Sequence, residues 1–118
     1  MYKFYNANSL GKFTDDCVIR SISCATDVSW DHVYDYLSDL AQEYGTLLDN
    51  REFVLNYLDR TYQRLDDLYG TVGYVSGHFP NNILIISMSG HLVCSKYGTV
   101  YDTFDCRNRV VEYVWLVK

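Results

Sequence analysis

The chain has a single proline, no Cys-x-x-Cys pair, no surplus of positive charge and no long hydrophobic run. Each shortage removes a class of function. Ten Lys and Arg stand against fifteen Asp and Glu, a net charge of −5. Binding along a phosphate backbone needs a basic face, so no nucleic-acid partner is expected. The longest aliphatic run, Ile83-Leu84-Ile85-Ile86, is far too short to span a bilayer, so no membrane partner is expected either. Met1-Tyr2-Lys3-Phe4 is not a charged leader ahead of an apolar stretch, and a cytoplasmic location is expected. Cys17, Cys24, Cys94 and Cys106 then read as reduced thiols, three of them as small buried hydrophobes. Without paired spacing no zinc ribbon is expected. No repeat, low-complexity segment or linker divides the 118 residues, which read as one domain, 1–118.

What the chain does have is twelve tyrosines. Their number predicts a fold that buries aromatic bodies while the hydroxyls find partners or water. Residues 1 to 13 read as irregular, because Asn6, Asn8, Ser9 and Gly11 interrupt any period. Thr14-Asp15-Asp16 are capping residues ahead of a helix that begins at Cys17, with Val18, Ile22 and Ala25 on one stripe and Ile19 beside it. Asp27-Val28-Ser29 closes that helix and caps a second one, to about Tyr44, with Val33, Tyr36 or Leu37, Leu40, Ala41 and Tyr44 inward. Its Asp31, Asp35, Asp39 and Glu43 form an acidic row that reads as a solvated face. Asp49 or Asn50 caps a third helix over about 51 to 60. Tyr62 to Leu65 reads as a short edge strand and 71 to 75 as one more helical turn.

After Pro80 the period changes to two. Ile83 to Met88, His91 to Lys96, Thr99 to Phe104 and Val110 to Val117 read as four successive strands with tight turns. The fold class is therefore α+β, with N-terminal helices packed on one face of a C-terminal antiparallel sheet of about four strands.

A two-residue turn at Tyr97-Gly98 sets Lys96 opposite Thr99, Val93 opposite Asp102 and His91 opposite Phe104. His91, Val93, Val100, Asp102 and Phe104 then share a face, and Asp102 is a diagonal neighbour of His91. Asp105 and Cys94 point to the other face. Cys17, in the first turn of its helix, has free backbone N–H groups and the positive end of the macrodipole, which favour a thiolate. The adjacent Asp15 and Asp16 oppose this unless they turn away as caps. Cysteine, histidine and acid in this order are the parts of a thiol nucleophile, its base and an orienting group. Oxyanion donors would be the Cys17 N–H with Asn8 or Asn6, two side chains between which spacing does not choose. Asp105 and Cys106 are accessory candidates. Cys17, His91, Cys106 and Asp102 also suit zinc by ligand type, but no short-spaced ligand pair supports it, and neither metal nor cofactor is expected. His32 reads as a surface residue, His78 as a loop residue, and Cys24 as a buried structural thiol.

Asp16-Cys17-Val18-Ile19-Arg20-Ser21-Ile22, together with Gly90-His91-Leu92-Val93 and Tyr101-Asp102-Thr103-Phe104-Asp105, resembles small papain-like proteins of bacteria and their phages. The similarity spans about residues 14 to 116 and rests on those stretches. It implies a minimal papain-like fold, with Cys17 as nucleophile, His91 as general base and Asp102 as orienter, and a peptide or protein as substrate. For a phage protein the location would be the host cytoplasm. Gly11-Lys12-Phe13 holds no glutamine of the kind papain-like proteases place before the cysteine, which leaves Asn8 as substitute. The alternative is a non-catalytic protein that binds and inhibits a host factor through the acidic row.

Overall fold

A computed structural model describes residues 1–6 and 16–118. Among these the order is β1 (Tyr2–Phe4), α1 (Cys17–Thr26), α2 (Trp30–Glu43), α3 (Arg51–Thr61), β2 (Gln63–Leu65), α4 (Val72–Gly77), β3 (Ile83–Met88), β4 (His91–Lys96), β5 (Thr99–Asp102) and β6 (Tyr113–Leu116). The fold is α+β, with four helices and one mixed sheet of six strands in the order β1-β5-β4-β3-β6-β2.

The helix boundaries follow local chemistry. Asp27 ends α1 in the left-handed region at φ 59°, and Ser29 caps α2 by accepting from the His32 N–H. Asn50, rather than Asp49, caps α3 by accepting from the Phe53 N–H at 3.1 Å. At the start of α1 the expectation fails: Asp16 occupies the capping position but its side chain caps nothing. Thr14 and Asp15 lie outside the described residues.

Two corrections concern the sheet. Among the described residues it has six strands, not about four, and it is not wholly antiparallel. β1 runs parallel to β5, pairing Tyr2 with Val100 and Phe4 with Asp102, in a segment expected to be irregular. Three residues are too few to display alternation, and a parallel partner a hundred residues away leaves no local trace. The helices also do not all pack on one face. α1, α2 and α3 cover the face that carries Ile83, Ile85, Leu92, Cys94 and Trp115. Val72 and Val75 of α4 cover the other, against Leu84, Ile86, Val93, Val100 and Val114. β3 is consequently buried on both faces, which explains its unbroken aliphatic run.

The tyrosine expectation holds in part, since Tyr5, Tyr57, Tyr62, Tyr101 and Tyr113 pack against the core. Tyr34, Tyr36, Tyr44, Tyr69, Tyr74 and Tyr97 are exposed. Several cover neighbours instead of entering a core: Tyr34 stacks on Trp30 at 5.2 Å, and the Tyr44 hydroxyl accepts from Arg60 at 2.9 Å.

The β4–β5 turn has the expected register, Lys96 opposite Thr99, with Tyr97 at φ 53° and Gly98 at φ 81°. Positive φ at both central residues is the signature of a type I′ hairpin. A Cβ at Gly98 would meet Pro80 only at ordinary contact distance, so its constraint is conformational. Gly98→Ala should therefore lower stability in urea titration by about 1–2 kcal/mol, the cost of placing an L-residue there. Gly77→Ala, at a helical position with open space around it, should not destabilise.

Candidate active site

The second hairpin turn, Ser89-Gly90 with Gly90 at φ 70°, pairs Met88 with His91 and so makes His91 the first residue of β4. Cys17 is the first residue of α1, whose main-chain N–H has no acceptor within its own helix. Asp102 is the last residue of β5. Its main chain is held by β1: its carbonyl accepts from the Tyr5 N–H at 2.8 Å and the Tyr2 hydroxyl at 3.2 Å. Three element ends therefore converge.

His91 Nε2 lies 2.6 Å from Asp102 Oδ2. The Cys17 thiol adjoins the same imidazole, near enough to help hold its proton. The Phe104 ring stands 4.9 Å from the His91 ring, although β5 has ended two residues earlier. Cys17 and His91 line a cleft of about 630 Å³ whose walls include Asn6, Val18, Leu55 and Met88.

Asp102 is 2 % exposed and gathers donors from several directions. Oδ1 accepts from the Thr103 N–H at 2.7 Å and from Arg20 at 3.3 Å. Burial opposes its charge, but His91, the Thr103 N–H and the Cys106 thiol hold the carboxyl below the usual range. Cys106 in turn is pushed up to about 12, by burial and then by the Asp102 charge, so it remains a thiol and donates. For His91, burial works against the proton; the hydrogen bond to Asp102 and the Cys17 thiol outweigh it and push the ring up to about 9.

Behind Asp102 is a chain that sequence reading did not pick out. Arg20 pairs with both Asp102 and Asp16, and the Trp30 indole N–H donates to Asp16 Oδ2 at 2.7 Å. All of the Asp16 charge is thus spent inward on Arg20 and Trp30. The i,i+4 spacing of Asp16 and Arg20 was the available signal.

Of the expected site residues, Cys17, His91 and Asp102 are brought together, Cys106 stands behind them, and Asn6 is on the cleft wall. Asn8 lies outside the described residues. Asp105 does not join. It faces solvent and accepts from Arg107 Nε at 2.9 Å and Nη2 at 2.8 Å, interactions that lower its carboxyl to about 2. His32 and His78 are exposed, bound locally to Ser29 Oγ and the Tyr74 carbonyl. Cys24 and Cys94 are buried and touch each other in the core beneath α1. Among the described residues no helix is long and apolar enough to cross a membrane.

A scan against protein-family models and searches of curated proteins and of solved structures return no match for the chain.

Because the folded His91 ring binds its proton more tightly than an unfolded one, its stabilisation is complete below about pH 6.5 and is lost as pH rises through about 9. The melting temperature should fall across that window, and the fall should be absent in His91→Ala. Arg20→Met should cost about 3–5 kcal/mol in denaturant titration, since it strands two buried carboxylates.

Proposed function

We propose that the chain is a papain-like cysteine hydrolase or acyl transferase working through Cys17, His91 and Asp102. The observation that carries this reading is that the Cys17 thiol adjoins an imidazole held by Asp102 and that Cys17 and His91 line one cleft. A surface histidine paired to a carboxylate would not need to face a thiol at a helix start.

In this reading Cys17 and His91 work as a thiolate–imidazolium pair, the proton held on the ring, and the thiolate attacks an acyl carbon. The resulting oxyanion is met by the Cys17 main-chain N–H, with Asn6 the polar side chain on the adjacent wall. As the tetrahedral adduct collapses, the imidazolium returns a proton to the leaving amine or alcohol. The thioester then passes its acyl group to water or another acceptor, from which His91 removes the proton. Asp102 acts throughout on His91 alone, fixing the ring tautomer and balancing the imidazolium. Hydrolysis, deamidation and acyl transfer all share these steps; a peptide or protein is the substrate class the resemblance implies.

A second reading has its own observation. Asp31, Asp35, Asp39 and Glu43 are all exposed along α2, and among the described residues no ion pair engages the row. That is the face a basic partner would meet if the protein acts by binding.

Iodoacetamide near neutral pH separates the two. Under the enzyme reading Cys17 should be alkylated far faster than Cys24, Cys94 and Cys106, and His91→Ala should remove that preference. Equal reactivity of all four thiols, read by peptide mass spectrometry, would sink it. Under the binding reading, charge reversal at Asp35 and Asp39 should abolish partner capture while alkylation is unchanged.

A further inference from the structure

Around Asp102 there is a donor set that the acyl chemistry does not use in full. A ring nitrogen of His91, a carboxylate oxygen of Asp102 and the sulfur of Cys106 all lie within 4.8 Å of one another. One nitrogen, one oxygen and one sulfur are the donor types of zinc and its close neighbours. Ligands about 2.0–2.3 Å from a tetrahedral ion stand roughly 3.3–3.8 Å apart. The His91 and Asp102 donors, now 2.6 Å apart, would open to that spacing and any wider pair would close to it. Arg20 and the Thr103 N–H occupy Oδ1 of Asp102, which leaves Oδ2 to turn from His91 toward an ion.

A divalent ion bound there takes the place of the proton on the His91 ring nitrogen it uses and of the Cys106 thiol proton, and both protons leave to water. Of the three donors His91 lines the cleft, so the path by which an ion and a water ligand would enter runs past its ring.

We propose that His91, Asp102 and Cys106 form a site for a zinc-class divalent cation, reached from the cleft past the His91 ring. An ion there takes the imidazole away from Cys17, so metal occupancy and thiol activation exclude each other. Only that last consequence rests on the reading of Cys17 and His91 as a catalytic pair.

The test is titration of the reduced, chelator-stripped full chain with Co²⁺, followed by displacement with Zn²⁺. The expected result is saturable binding of a single Co²⁺ per chain, with a thiolate-to-cobalt charge-transfer band that Zn²⁺ removes. Cys106→Ser should lose the band and Cys17→Ser should keep it. His91→Ala, altered at the cleft wall and not in the core, should weaken Co²⁺ binding at least ~10-fold even if Cys106→Ser does not fold. Absence of saturable uptake, a band that depends on Cys17 in place of Cys106, or an affinity indifferent to His91 would overturn the site. Zn²⁺ should also slow Cys17 alkylation, and a chelator should restore it. Unselective alkylation of the metal-free protein defeats the acyl reading alone and leaves the cobalt result to decide the metal site.

Discussion

A carboxylate that is almost wholly out of water has to be surrounded by donors, and Asp102 is where this structure meets that demand. Left bare, such a charge would cost several kcal/mol. Its partners arrive from separate parts of the chain: His91 at the start of β4, Arg20 one turn into α1, the Thr103 main chain, and the Cys106 thiol beyond β5. Satisfying one buried anion therefore joins the first helix to the middle of the sheet. It also orders those elements so that Cys17, at the tip of that helix, stands over the His91 ring.

Sheet parity makes the meeting less simple than it sounds. Along β4, Leu92 and Cys94 face the helical layer while Val93 faces α4, so His91 belongs by alternation to the α4 side. A mid-strand residue on that side would be separated from α1 by the sheet itself. His91 escapes this because it is the first residue of the strand, at the sheet's end, where a side chain can reach both layers. The Ser89-Gly90 turn that sets this position is consequently part of the site's architecture. So is β1, whose hydrogen bonds hold the main chain of Asp102 at the end of β5.

How much was legible depended on distance along the chain. The β4–β5 hairpin could be read residue by residue, because Tyr97-Gly98 specifies the turn and the turn specifies the register. From that register the His91–Asp102 contact followed. The starts of α2 and α3 at Ser29 and Asn50 were likewise written locally. β1 was not legible, since its partner is remote and its length too small for a period. Nor was the role of Arg20, an ordinary i,i+4 partner of Asp16 until the fold brings Asp102 against it. Asp105 was a reasonable accessory candidate by proximity in sequence. The neighbouring Arg107 claims it outright.

By itself the sequence determined what short-range sterics and hydrogen bonding can encode: the caps of α2 and α3, the hairpin turns, the alternation of faces, and so the pairing of an imidazole with an acid one strand away. Only the tertiary structure decided that the Cys17 thiol joins that pair, that Asp16 spends its charge on Arg20 and Trp30, and that Cys106 stands behind Asp102. Those outcomes belong to packing α1 across the sheet end, where each buried charge had to find a partner that no local spacing names.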